Sequence, residues 1–288
     1  MIFGDNREAV IANIAQAASS GAFYSKVELG DPVLTPEQGD AIVSSYLKSR
    51  KKPAYKCKAF VARSIANAAT KLLNRDTEIV GYEKAAGVTG GAILTCNHFS
   101  PLDNTVVRCL TRKLGKKRIN IISQQSNFAM GGTLGFLMNY ADTIPLSDEY
   151  RYLLRQLPDI LEELLKKDEF VLIYPEQEMW FNYRKPRPPK KGAYHFAAKL
   201  QVPVISCFVE MQNEQEMDTR NFHKVRYTLH ILDVLYPDPQ KSIRENSILL
   251  CEKDYALKKQ AYERIYGKPL SYDFEPSDIA GWTGEAVQ

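Results

Sequence analysis

Apolar residues recur at helical spacing in the first quarter of the chain. Val10, Ile14 and Ala18 predict a helix over Ala9 to Ala18, and a polar stretch with Gly and Pro from Ser19 to Pro36 reads as a loop. From Pro36 to Asn74 the helical pattern resumes, broken near Lys51-Lys52-Pro53, with Val61, Ile65, Ala68 and Leu72 on one face of the second half. This is the pattern of a helical hairpin. After Arg75 short β-like runs alternate with amphipathic segments. Strands are predicted at Glu78 to Gly81, Ala92 to Asn97, Arg118 to Ile122, Phe170 to Tyr174, Val204 to Glu210 and Tyr227 to Val234. Helices are predicted at Leu102 to Leu114, Tyr150 to Lys167 and Gly192 to Leu200, and a long one at Asn246 to Ile265, before a tail expected to lie extended along the surface. The predicted fold class is α/β, a largely parallel sheet flanked by helices with an N-terminal helical element. Three regions follow: 1–75 amphipathic and helical, 76–240 the α/β core, 241–288 a C-terminal helix and tail.

A chain of 288 residues with 44% hydrophobic residues can bury a substantial core. Its formal charge of +4 points neither toward nucleic acid nor away from it, so distribution matters more than total. Between Ala41 and Arg75 stand Lys48, Arg50, Lys51, Lys52, Lys56, Lys58, Arg63, Lys71 and Arg75, without one Asp or Glu. A cationic helix with apolar residues at helical spacing has the composition of an in-plane interfacial helix on anionic lipid, or of an ordinary helix with a solvated basic side. Five scattered cysteines, odd in number and without a C-x-x-C pair, disfavour a disulfide framework and a structural zinc site, and fit a reducing cytoplasm. The opening residues Met1 to Glu8 place acids where a secretory signal needs a positive, then apolar, stretch. No apolar run reaches the length of a spanning helix, so the expected location is cytoplasmic, peripheral on the inner face of a membrane.

Candidate chemistry concentrates where the second strand delivers Asn97-His98 at its C-terminal end, the edge at which α/β sheets place reacting groups. Ser100-Pro101-Leu102-Asp103 follows as a helix start, with Ser100 as the predicted cap, and such a turn folds Asp103 back toward His98. A carboxylate against one imidazole nitrogen fixes the tautomer and stabilises the imidazolium, which makes a general base. The spacing alone serves a capping carboxylate equally well. His195, His223 and His230 sit in unrelated elements, and no metal site is suggested.

The run from Asn97 to Asp103 resembles the N-H-x4-D block of the lysophospholipid acyltransferase family, which includes the 1-acylglycerol-3-phosphate acyltransferases. A second block is similar at Gly135 to Met138 with Ala141 to Leu146. A third, F-P-E-G-T-R in that family, stands here as Tyr174-Pro175-Glu176-Gln177-Glu178-Met179. The pattern Lys190-Lys191-Gly192-Ala193-Tyr194-His195-Phe196-Ala197 and the block Val202-Pro203-Val204-Ile205 follow in order. The resemblance implies direct acyl transfer, in which His98 deprotonates a hydroxyl, Asp103 orients the histidine and the oxygen attacks an acyl thioester. It implies no cofactor: acyl-CoA or acyl-carrier protein is a co-substrate, a lysolipid is the acceptor, a membrane surface is a partner and nucleic acid is not. Backbone N–H groups after Phe99 or in the Tyr174 to Gln177 turn are the expected oxyanion donors.

The third block departs where the family holds an acceptor phosphate. The arginine of F-P-E-G-T-R is Met179, and the position of the arginine closing the second block holds Ser147 and Asp148. A thioether cannot replace a guanidinium fork. Either Arg184, Lys185 and Arg187, in the basic loop through Lys191, supply cations from a new direction, or the acceptor is another lysolipid, a glycolipid or a non-lipid alcohol. Asn97 and Glu176 are the remaining candidates for acceptor binding or support, and Trp180, Phe181 and Tyr183 suit an acyl lining or a core. The alternative from another class is a non-catalytic lipid- or acyl-carrier-binding protein.

Overall fold

The computed structural model describes residues 6–30, 32–116 and 118–284. Residues 1–5 of the opening stretch, residue 31 in the predicted loop and the last four residues of the tail lie outside the described residues. Helix α1 spans Arg7–Ser19, α2 Pro36–Ser49 and α3 Pro53–Leu73. Strand β1 (Glu78–Val80), helix α4 (Glu83–Ala86), β2 (Ala92–Thr95) and α5 (Asp103–Lys113) follow, then β3 (Ile119–Gln124), α6 (Gly132–Tyr140) and β4 (Thr143–Leu146). The chain continues through α7 (Leu157–Leu165), β5 (Phe170–Ile173), α8 (Gly192–Leu200), β6 (Val204–Thr219), β7 (Phe222–Leu235) and α9 (Ile243–Tyr266).

The seven strands form one sheet in the order β1-β7-β6-β2-β5-β3-β4. All neighbours run parallel except β6 and β7, an antiparallel pair. The α/β expectation holds. Ala92, Ile93 and Leu94 of β2 are fully buried because helices cover both faces: α7, α8 and α9 pack on Ile93, Val171 and Val204, while α4 and α5 pack on Leu94, Leu172 and Ile205. Each such aliphatic side chain contributes about 1.5–3 kcal/mol by leaving water.

Several boundaries differ from expectation for local reasons. Helix α2 starts at a capping box, Thr35 with Gln38, and α9 at another, Ser242 with Glu245, three residues before the predicted start. The predicted helix from Tyr150 is helical from its first residue but passes through a π-turn over Tyr152–Gln156, because Pro158 has no N–H for the carbonyl of Leu154. Lys199 Nζ donates to that carbonyl at 3.3 Å. Strand β4 was not predicted: it carries Pro145, which an edge strand tolerates. Beyond Glu210, β6 and β7 continue as a largely exposed ribbon.

The first and last segments are joined to the core. Val10, Ile11 and Ile14 of α1 pack with Trp180, Tyr183, Phe222 and Ile279. The tail expected on the surface is instead buried at Asp278, Ile279 and Ala280, where Asp278 Oδ2 accepts from Lys185 Nζ at 2.6 Å and Ile279 bridges to Tyr183. In α3 the small residues Ala59, Ala62, Ala66 and Thr70 face inward, and Phe60, Val61, Ile65 and Leu72 are exposed.

Candidate active site

Strand β2 ends at Thr95, and the next residues turn from the C-terminal edge of the sheet into α5. Asn97 is buried there and clips the turn to β6: its Nδ2 donates to the carbonyl of Val209 at 3.1 Å and its Oδ1 accepts from Val209 N–H at 2.8 Å. Its hydrogen bonds serve the scaffold. Helix α5 begins at Asp103, later than predicted, and Ser100 Oγ accepts from Leu102 N–H at 3.3 Å.

Asp103 is buried and fully engaged. Its Oδ2 lies 2.7 Å from His98 Nδ1 and accepts from the N–H groups of Phe99 at 3.0 Å and Ser100 at 3.3 Å. Its Oδ1 accepts from the Tyr174 hydroxyl at 2.5 Å. A carboxylate accepts, so Nδ1 carries the hydrogen and Nε2 is the ring nitrogen left to meet a ligand. The Tyr174 ring stacks on the imidazole with centroids 4.0 Å apart and planes 12° from parallel. Burial, then the Asp103 charge, pushes the Tyr174 phenol well above its ordinary value, so it remains a donor.

Glu176 supports the same turn from below. Its Oε2 accepts from His98 N–H at 3.3 Å and from Arg187 Nη2 at 3.0 Å, and its Oε1 from Arg187 N–H at 3.0 Å. Arg187 is fully buried, donates also to the carbonyls of Phe23 and Glu178, and lies 4.4 Å over the Trp180 ring. The basic loop therefore does not offer its first cations to a ligand. Lys185 is spent on Asp278, and Arg184 on the carbonyls of Met211 and Ser277 and on Asn213. Lys190 and Lys191 do reach the cavity, Lys190 lying 3.8 Å over the Tyr24 ring.

Several of the expected oxyanion donors are engaged. The N–H groups of Phe99 and Ser100 go to Asp103, that of Gln177 to the Tyr174 carbonyl at 3.1 Å and that of Glu178 to the Glu176 carbonyl at 2.9 Å.

His98 and Asp103 line a cavity of about 1150 Å³. Its lining includes the apolar residues Met130, Leu134, Met138, Leu146, Leu153, Phe181 and Phe196. Trp180 and Tyr183, by contrast, belong to the core against α1. Gly135 permits α6 to approach, since a Cβ there would stand 1.8 Å from the carbonyl oxygen of Met130. Gln177, Glu178, Met179 and Asp148 border the cavity where the family has its phosphate-holding block, with Glu178 Oε1 accepting from Gln124 Nε2 at 2.6 Å. Sequence reasoning missed Tyr174 and Gln124 as partners of the site, and His195, which lines it from α8 with its basicity lowered by burial and by Lys199. Among the described residues no group of three or more His, Cys, Asp and Glu is placed to hold a metal.

The match to a family model agrees with the resemblance read from the motifs. Residues 76–210 match the family model described as Acyltransferase. Among solved structures the chain is similar to the crystal structure of the 1-acyl-sn-glycerophosphate acyltransferase PlsC from Thermotoga maritima, at 16% identity and a TM-score of 0.49 over 92% of this chain and 98% of that one. No curated protein sequence matches. The segment that builds the sheet edge, the His98 turn and the Tyr174 block is thus the part of the chain that matches the Acyltransferase family model.

Proposed function

We propose that this acyltransferase moves a fatty acyl group from acyl-CoA or acyl-carrier protein to a hydroxyl of a lysophospholipid, such as 1-acylglycerol-3-phosphate, or of a related lipid. The observation that carries the reading is the Asp103–His98 pair at an apolar-walled cavity inside the family-matched segment. His98 Nε2 takes the hydroxyl proton as the acceptor oxygen attacks the thioester carbonyl; Asp103 holds the ring and balances the imidazolium. The thiolate leaves with that proton. The apolar lining accommodates the acyl chain.

A second reading of the acceptor has its own support. Glu178, Asp148 and Met179 border the cavity, and Arg184, Lys185 and Arg187 are tied to internal partners. Those features support a glycolipid or non-lipid alcohol as the alternative acceptor, while Lys190 and Lys191 at the same cavity keep a phosphate-bearing lysolipid as the first reading. A panel of acceptors assayed with long-chain acyl-CoA and with acyl-carrier protein decides between them; acylation of none would sink both.

The protein works at a membrane surface, on the inner face that its free cysteines suit. The exposed stripe Phe60, Val61, Ile65 and Leu72 on α3, flanked by Lys56, Lys58 and Lys71, supports this. Among the described residues no helix is long and apolar enough to cross a membrane. Co-sedimentation with anionic vesicles, wild type against Val61→Asp/Ile65→Asp, is expected to show binding that the variant loses; no binding of the wild type contradicts the reading.

A further inference from the structure

At the far end of α5 from Asp103 lies a second, smaller cavity of about 240 Å³ between α3 and the segment leading into β3. By volume it holds about eight waters, room enough for a phosphate group with part of its hydration. Six cationic side chains line it: Arg63 and Lys71 of α3, Arg108 and Arg112 of α5, then Lys116 and Arg118. Among the described residues two carboxylates pair with them, and Lys116 Nζ donates to the Gly90 carbonyl at 2.7 Å. Arg63 pairs with Asp142 through Nε and Nη2 at 2.6 and 2.7 Å, and Arg118 Nε stands 3.8 Å from Glu169. Arg108 is buried without a carboxylate of its own; its guanidinium donates to the carbonyl of Ala141 at 3.0 Å and to Asn104 Oδ1 at 3.3 Å. Lys71 and Arg112 are exposed and form no ion pair among the described residues.

An excess of positive charge gathered around a concavity is costly unless an anion shares it. Arg112 and Lys71 each complement the dipole at the C-terminal end of their own helix and Arg63 has Asp142, but neither dipoles nor that pair explain why cations from two helices and the following segment converge with the buried Arg108 on one concavity. Placement supplies the rest. On α3 the row Arg63, Asn67, Lys71 runs beside the row carrying Phe60, Ser64 and Ala68, so the cavity opens at the margin of the exposed apolar stripe. A lipid whose chains lie against that stripe has its headgroup at the level of the cavity.

We propose that this cavity binds the phosphate of an anionic membrane phospholipid and so seats the enzyme on the bilayer in a fixed orientation. Arg63 and Arg108 form its preorganised floor, and Lys71 and Arg112 close over the headgroup. The inference rests on the membrane reading above and adds a stoichiometric site to it.

The test measures binding of short-chain phosphatidylglycerol below its micelle concentration, of inorganic phosphate, and of vesicles with and without phosphatidylglycerol. The wild type is compared with Lys71→Gln/Arg112→Gln in the cavity and with Lys51→Gln/Lys52→Gln, an equal loss of charge in the turn before α3. Both pairs lie on exposed positions, and a thermal melt confirms that each variant folds. Expected are saturable one-to-one binding of the short-chain lipid, abolished only by the cavity pair, and a loss of vesicle affinity at least tenfold greater for the cavity pair than for the turn pair. Equal losses overturn the site in favour of diffuse attraction and leave the membrane reading standing. Inorganic phosphate binding as tightly as the short-chain lipid overturns the lipid assignment. No vesicle binding by the wild type overturns both readings.

Discussion

The hydroxyl of Tyr174 donates to Asp103 Oδ1 at 2.5 Å while the ring of the same residue stacks on His98 at 4.0 Å. One side chain thus touches both members of the proposed catalytic pair. Donating to the carboxylate withdraws some of the charge that would otherwise stabilise the imidazolium. In Tyr174→Phe the stack persists and Asp103 loses a donor, whereas Tyr174→Ala loses both, so kcat/KM is expected to fall further in Tyr174→Ala, by up to about tenfold. Equal rates in the two variants would show that the stack contributes nothing.

Asp103→Asn tests the other contact of that carboxylate. With its oxygen at the Oδ2 position the amide still accepts from His98 Nδ1 and from the N–H groups of Phe99 and Ser100, but its NH2 then faces the Tyr174 hydroxyl, which loses its acceptor, and the negative charge that balances the imidazolium is gone. The expected loss in kcat is roughly 10³-fold or more, by analogy with other carboxylate–histidine pairs, with KM little changed. Steady-state kinetics at saturating donor check it.

Arg187 and Glu176 hold the turn on which His98 rests, and both are buried. Removing one partner strands the other charge, so Arg187→Met is expected to destabilise the fold by about 3–5 kcal/mol. Arg184→Met, at a more exposed position, costs less. Urea unfolding separates them; equal, small effects would mean that the buried pair contributes little.

Gln177 adopts φ of 67°, a left-handed conformation that glycine tolerates without strain and that the related block fills with Gly. Gln177→Gly is expected to stabilise the protein by up to about 1 kcal/mol, read as a rise in the denaturant midpoint. A fall would show that the side chain's contacts outweigh the backbone term.

Glu163 binds Lys167 and also Arg50 of α2, and these partners, the Lys167 hydrogen bond foremost, lower its carboxyl from 4.5 to about 2 against the opposing effect of burial. Its folded value lies below its ordinary one, so its stabilisation is complete above about pH 4.5 and is lost as pH falls toward 2. The group is over a third exposed and screened, which limits the effect to about 1 kcal/mol or less. Glu163→Gln should be less stable than the wild type at pH 6 and equal to it near pH 2, measured by thermal melts across that range.

What was legible in the sequence was largely local. His98 and Asp103 lie five residues apart on one turn, so strand end, helix start and carboxylate could be read together. Tyr174 meets Asp103 across 71 positions, and only the sheet order brings them together. The spacing of Val61, Ile65 and Leu72 showed a common face but not its direction; the structure turns that face outward because the alanines opposite allow α3 to pack closely on Ala141. The basic loop was visible as charge, yet Asp278, Met211 and Asn213, which absorb Lys185 and Arg184, stand far away in the chain. Strand β4 escaped because Pro145 argues against a strand unless its place at the sheet edge is known.

The most direct measurement is acyl transfer by the wild type and by His98→Ala, with the same acyl thioester donors and a panel of lysolipid, glycolipid and simple alcohol acceptors. Transfer to at least one acceptor by the wild type, reduced roughly 10³-fold or more in the folded variant, is the predicted result. Equal rates in the two proteins would contradict the account.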